Sequence, residues 1–314
     1  MNPFAALFSL GVRARNALYD RGTLRARRLA GPVISIGNLS VGGSGKTPFV
    51  LMLGELLKAR GVKFDILSRG YGRRTRGVGV VDPGGTSGDF GDEPILMARR
   101  LGVPVIVGED RFQAGLTAEQ KFGAQLHLLD DGFQHRSLAR DFDIVLVTPD
   151  DARDRLLPAG RLREPLASLQ RADAIVLTSG ASPQSFPLDG KVVWRVRRGI
   201  HVNNMPSHPV VFCGIARPQN FVLQLRTAGV EPTAEAFFSD HHAYTESDVR
   251  ALLNLRDKSE ADGFVTTEKD AINLGGYLSA LHPLTVVPVT MTLSDAANAV
   301  DSMLRTIEER RQAT

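Results

Sequence analysis

The chain has 314 residues, 43% apolar and 23% charged, enough for one large or two ordinary domains with real cores. That composition excludes a disordered or collagen-like chain, and the lone cysteine, Cys213, excludes an internal disulfide and favours a reducing compartment. The formal net charge is +4, yet residues 1–30 alone carry +5, six arginines against Asp20, and the remainder is close to neutral.

The first element in chain order is helical: Phe4, Leu7, Phe8, Gly11, Ala14 and Leu18 fall on one face, with Arg15 inside the same arc. Positive charge follows the apolar stretch instead of preceding it, so this is no secretory signal, and no run of 18 apolar residues predicts a spanning helix. A basic amphipathic helix over residues 1–30 suits a cytoplasmic membrane surface. The alternative is a helix packed on its own domain with arginines in solvent. From residue 33 short β-branched runs alternate with helical stretches. Strands are expected over 33–39, 64–69, 78–82, 103–108, 126–131, 144–148 and 174–178, and helices over 46–60, 93–101, 111–122 and 162–170. This alternation predicts an α/β fold with a parallel sheet covered on both faces over residues 31–182. Residues 183–206 read as a linker, with 191–198 as an alternating strand and half of a ribbon. A second, smaller α/β set follows over 207–314, with strands near 210–214, 234–238, 263–267 and 285–289, and helices after Pro218 and from Glu246. An amphipathic helix over 295–311 ends the chain and can pack back on the first domain.

Chemistry concentrates in a few motifs. A strand from Val33 runs into Ser40-Val41-Gly42-Gly43-Ser44-Gly45-Lys46-Thr47 and then a helix. Such a loop turns backbone N–H groups toward phosphate oxygens; Lys46 would reach the β/γ-phosphates and Thr47 would hold Mg²⁺. One departure is Ser40, where the P-loop pattern has its first glycine. The strand at 126–131 ends in Asp130 and Asp131, at the location of a P-loop protein's acidic metal partner. Asp92 and Glu93, before another helix, read either as first-turn capping residues or as base and metal ligand. In the second set, Asp240-His241-His242 lacks the pattern of a zinc site, and a histidine oriented toward a carboxylate is the better functional reading. Thr266-Thr-Glu-Lys-Asp270 would line the same cleft or form structural salt bridges. Arg69, Tyr71, Arg111, Arg161 and Arg163 lie in Gly-rich or turn segments suited to an anionic, phosphate-bearing substrate, or to a solvated face.

Together these stretches resemble the tetraacyldisaccharide 4′-kinase (lipid A 4′-kinase) family. The resemblance rests on residues 38–48, 68–72, 91–94, Asp130-Asp-Gly-Phe-Gln-His135, 157–165, 214–218, 238–241 and 266–270 in family order. It implies ATP- and Mg²⁺-dependent phosphorylation of the 4′-hydroxyl of a tetraacyldisaccharide 1-phosphate lipid A precursor. It also implies a peripheral or monotopic place on the anionic inner-membrane surface, facing the cytoplasm, with no obligate protein partner. By the same resemblance Asp92 is the catalytic base, His241 its partner, and Glu93, Asp130 and Asp131 the metal-associated set. Lys46, Thr47 and residues 41–45 are its nucleotide contacts, and Lys46 and Asp131 also take part in catalysis. The rivals are a P-loop GTPase, which should carry an absent Asn-Lys-x-Asp motif, and a nucleotide-gated membrane adaptor without a lipid acceptor. Nucleic-acid binding is not expected, since beyond the N-terminal arm the chain is net acidic and aromatic-poor.

Overall fold

A computed structural model describes residues 3–313. The chain opens with α1 (Pro3–Asp20), then β1 (Val33–Asn38), α2 (Lys46–Lys58), β2 (Phe64–Ser68) and β3 (Gly79–Val80). The short α3 (Ser87–Phe90) leads into α4 (Asp92–Leu101), β4 (Val105–Val107), α5 (Arg111–Phe122), β5 (Leu126–Asp130), β6 (Phe142–Val147), β7 (Ala174–Leu177) and β8 (Val192–Ile200). The second set is β9 (Pro209–Cys213), α6 (Pro218–Thr227), β10 (Ala234–Phe237), α7 (Glu246–Lys258), β11 (Gly263–Thr267), α8 (Glu268–Leu274) and β12 (Leu284–Val287). β13 (Val289–Leu293) and α9 (Ala296–Gln312) close the chain.

Two sheets result, one nine-stranded in the order β13-β8-β7-β6-β1-β5-β2-β4-β3 and one four-stranded in the order β10-β9-β11-β12. The large sheet is parallel except at its two edges, where β3 and β13 run antiparallel to their neighbours. Its central strands β1, β2, β5 and β6 are buried along their whole length, as continuous apolar runs in a doubly covered parallel sheet must be. Ile34, Ile36, Phe49, Leu53 and Leu128 form the core between sheet and α2.

Several details depart from the sequence expectations. The helix expected over 162–170 is absent. The backbone of 161–163 lies along the start of the glycine-rich loop: Val41 N donates to the Arg161 carbonyl at 2.9 Å and Arg163 N to the Leu39 carbonyl at 2.6 Å. Pro165 disfavours helical geometry in the residue before it, and only a 3₁₀ turn, Leu166–Arg171, follows. The strand expected over 191–198 is β8, which pairs antiparallel with β13 as half of a ribbon but also in parallel with β7, so that it joins the large sheet. No departure is involved at the chain end, where Val300, Met303 and Ile307 of α9 join the core beside α2. Arg311 then donates to Asp141 at 2.8 and 2.9 Å and to the carbonyls of Ala30 and Gly31. Asp141 in turn accepts the N–H of Val33, so the last helical turn fastens the start of β1.

α1 stands apart from these cores. None of residues 4–20 is buried; Phe4 is 70%, Leu7 68% and Leu10 64% exposed. Its second half is tied down by polar contacts, in which Arg15 donates to the Gln134 carbonyl, Asn16 to Glu164 at 2.7 Å, and Asp20 accepts from Arg136 at 2.7 Å, and by the Arg136 guanidinium over the Tyr19 ring.

Candidate active site

The C-terminal ends of parallel strands are where open α/β sheets bind ligands. Here Asn38, Ser68 and Asp130 end β1, β2 and β5. From Asn38 the chain curls through Ser40–Gly45 into α2, whose N-cap is Gly45 at φ 85°, a left-handed conformation costly for any residue with a Cβ. Lys46 Nζ donates to Asn38 Oδ1 at 2.9 Å and lies 3.3 Å from Asp131 Oδ1. Ser40 is buried in a bridge with Leu162 and, unlike Gly42, Gly43 and Gly45, is not at positive φ, so a side chain is tolerated there.

Four carboxylates gather around this loop. Asp130 accepts from Ser68 Oγ at 2.9 Å, while its Oδ1 is buried with no partner. Burial, then the charges of Glu93 and Asp131, push its pKa up to about 7. Burial also acts on Asp131, but Arg163, which grips it with two 2.8 Å bonds, and Lys46 hold its carboxyl well below the usual range. Asp131 itself sits at φ 51°. Glu93 accepts from Thr47 Oγ1 at 2.9 Å and from Lys269, whose ammonium outweighs the effect of burial and keeps its pKa low.

Among the described residues no three His, Cys, Asp or Glu side chains form a ready cation cage. Mg²⁺ does not need one, because it retains waters and takes nucleotide oxygens alongside one or two carboxylates. The unpartnered Asp130 oxygen, crowded by two further carboxylates and near the Thr47 hydroxyl, fits such an ion: all are hard oxygen donors, and added positive charge would relieve the crowding.

The fourth carboxylate, Asp92, occupies the first turn of α4 after Gly91, whose φ of 89° and ψ of 150° belong to glycine-only space. A Cβ on Gly91 would stand 2.7 Å from the Tyr71 carbonyl oxygen. This backbone position aims a buried Asp92, 3% exposed, across to the second sheet, where His241 Nδ1 donates to it at 2.8 and 3.0 Å. Asn273 adds a bond at 3.2 Å. Burial alone would raise the Asp92 pKa, but His241, Lys269 and Asn273 together bring it below the ordinary aspartate value. The same hydrogen bond raises His241 against the opposing effect of burial. His241 is also at positive φ, 58°, and its ring lies 5.2 Å from that of Tyr71. Backbone strain of this kind concentrates at functional sites. His242 belongs elsewhere: it bonds Asp248 at 3.0 Å and stacks on Phe238.

Residues 41–47, Arg69, Tyr71, Glu93, Asp130, Asp131, Arg163 and His241 line one cavity of about 640 Å³. Two of the arginines singled out in the sequence do not. Arg161 is engaged by Asp154 at 2.9 Å and Asp150 at 3.2 Å beside a separate surface hollow. Arg111 is buried beneath the site, donating to the carbonyls of Gly108 and Glu109. Sequence reasoning gave no role to Asn38, Ser68 or Asn273; for the first two, a polar residue at the end of an apolar parallel strand is the signal that marks them. Lys269, within the 266–270 stretch, does line the cavity.

Comparison with known proteins follows the same outline. The family model for tetraacyldisaccharide-1-P 4′-kinase matches residues 1–308. The tetraacyldisaccharide 4′-kinase of Koribacter versatilis is 50% identical over 321 residues, covering 99% of this chain and all of that protein. The Aquifex aeolicus enzyme of the same name is 40% identical over 293 residues, 88% of this chain and 89% of its own. The crystal structure of LpxK from Aquifex aeolicus in complex with ATP superposes with a TM-score of 0.81 at 36% identity, over 97% of each chain. With a match along nearly its whole length in sequence and in fold, the chain belongs to the tetraacyldisaccharide-1-phosphate 4′-kinase family.

Proposed function

We infer that this chain transfers the γ-phosphoryl group of ATP to the 4′-hydroxyl of a tetraacyldisaccharide 1-phosphate, a lipid A precursor. It is a kinase by family, and relatives along its whole length carry that name. The observation that supports the residue roles is that His241, bonded to the buried Asp92, lines the same cavity as the P-loop lysine. The P-loop N–H groups and Lys46 hold the polyphosphate and withdraw charge from it as the bridging bond breaks. Asp92, ionised at neutral pH, accepts the hydroxyl proton while the oxygen attacks phosphorus; His241 fixes its orientation and shares the proton. Arg163 holds Asp131 in place, and Arg69 and Tyr71 at the cavity mouth face the sugar phosphate. Mg²⁺, held by Thr47, Asp130 and Asp131 with Glu93 beside them, would supply charge neutralisation of the transferring group. Incubation with ATP and the lipid precursor should add one phosphate at the disaccharide 4′ position by mass spectrometry, with ADP released. ATP consumption that is independent of the lipid would favour the nucleotide-gated adaptor instead.

We propose further that α1 lies in the surface of an anionic membrane. No described helix is long and apolar enough to cross one. The exposed Phe4, Leu7 and Leu10, with arginines following, have the character of an interfacial helix. Its tethers at Gln134 and Glu164 adjoin the active site, since Gln134 also donates to the Asn38 carbonyl at 3.0 Å. A head group could therefore enter the cleft while its acyl chains remain in the bilayer. A protein beginning near Gly31 should lose co-sedimentation with anionic vesicles and lose efficiency on vesicle-borne lipid. Equal sedimentation of the two forms would assign α1 to the protein's own packing.

A further inference from the structure

Side chains along a strand alternate between faces, so Trp194, Val196 and Arg198 of β8 share one row. Trp194 and Val196 are buried in the core against α2. The next position on that row calls for another aliphatic side chain, and an arginine occupies it. Arg198 sits opposite Met291 of β13, whose methyl group comes within 3.3 Å of where a Cβ on Gly45 would stand. The Arg198 Nε is buried without a hydrogen-bond partner, and among the described residues no carboxylate pairs with it. Burial and the like charge of Arg217 both pull its pKa down. A guanidinium so placed costs stability unless something anionic meets it.

Arg217 comes from the loop that enters α6. Its stem crosses the P-loop, with Cγ, Cδ and Nε 3.3–3.4 Å from a Cβ built on Gly43. Its head pairs with Asp150 Oδ2 at 3.0 Å, a half-exposed carboxylate already shared with Arg161. Such a solvent-screened pair is weak and easily exchanged. Both arginines line the cavity that contains the P-loop, whose own Lys46 is engaged by Asn38 and Asp131.

We propose that Arg198 and Arg217 form a second cationic clamp on the polyphosphate of the nucleotide, beside the P-loop, and that Arg217 exchanges Asp150 for phosphate when nucleotide binds. The planar guanidinium fork matches phosphate oxygens in pairs, which suits both residues to this task. The proposal rests on the P-loop reading above. Arg198 lies outside every stretch that carries the family resemblance, and Arg217 lies within the 214–218 stretch, to which the resemblance gives no role.

The test uses the full-length protein, with ATP titrated calorimetrically in the absence of lipid and thermal melting followed in parallel. Arg198→Met and Arg217→Gln should each weaken ATP binding by about 10-fold or more, with KM for ATP rising in step. Nucleotide-free Arg198→Met should melt no lower than the parent, because an unpaired buried charge is gone. Arg217→Gln, at a part-exposed position, keeps the question open to measurement should Arg198→Met fold poorly. Asp150→Asn should tighten ATP severalfold by releasing Arg217. Wild-type ATP affinity in both arginine variants would overturn the clamp while leaving the P-loop reading intact, provided that Lys46→Ala abolishes binding. An effect confined to KM for the lipid would also overturn it, and would assign the arginines to the phosphate of the acceptor. If Lys46→Ala binds ATP as well as the parent does, the P-loop reading itself fails.

Discussion

Lys46→Ala should lower kcat by about 10³-fold or more while leaving the melting temperature nearly unchanged. The side chain belongs to no apolar core, and among the described residues its ammonium meets Asn38 Oδ1 and the Asp131 carboxylate. Asp131 retains its two bonds from Arg163 when the lysine is gone, so the loop keeps its anchor. What disappears is a positive charge aimed at the oxygens that gain charge in phosphoryl transfer. Single-turnover kinetics and a melting curve on the same sample separate the two effects. Near-normal turnover in the folded variant would remove the nucleotide assignment.

The Asp92–His241 pair should account for about 10²–10⁴-fold in kcat, the usual span for general-base help. Asp92→Ala is expected to lower kcat far more than it raises KM for ATP, since the role proposed for the carboxylate is toward the acceptor hydroxyl and not toward the nucleotide. His241→Ala should lose less, and the double variant should lose less than the product of the single losses, because the two act as one unit. The pH dependence follows from the shifts. Asp92 has a folded pKa below its free value of about 3.9, so its stabilising contribution is present above that pH and lost as pH falls through the folded value. His241 has a folded pKa above its free value of about 6.5, so its contribution is complete below that pH and lost as pH rises through the folded value. The ion pair therefore stabilises the junction of the two sheets most between about pH 4 and 6.5. Catalysis gains in the other direction, because loss of the His241 proton frees Asp92 to accept one. The rising limb of kcat near neutral pH belongs to the coupled pair and should vanish in His241→Ala. Multiplicative single losses with an unchanged pH profile would reduce His241 to a loop residue.

How far the sequence discloses this site depends on whether each signal is local. The P-loop is legible because an apolar run, a glycine-rich turn and a helix follow one another within fifteen residues. Asp130 and Asp131 are legible because they end a buried strand. Asp92 and His241 are not legible from spacing, because a carboxylate at a helix start is an ordinary capping choice. Their meeting depends on a fold that brings residues 149 positions apart to 2.8 Å. The missing helix at 162–170 has the same origin: the local pattern favours it, but backbone pairing with residues 39–41 takes its place. Arg198 is hidden by the symmetry of an alternating strand, where sequence alone does not say which face turns inward.

The return of the chain end to the large sheet has a consequence for biosynthesis. The outer strand β13, the helix α9 behind α2, and the Arg311 clasp on the start of β1 are all made after the entire second sheet. Vectorial synthesis usually lets an amino-terminal unit fold while later residues are still being added. Here the whole second sheet would have left the ribosome before Met291 could back the P-loop at Gly45. The nucleotide pocket of a nascent chain thus stays incomplete until the second sheet has been made, so that a product terminated before β13 would carry the P-loop sequence without a finished ATP site.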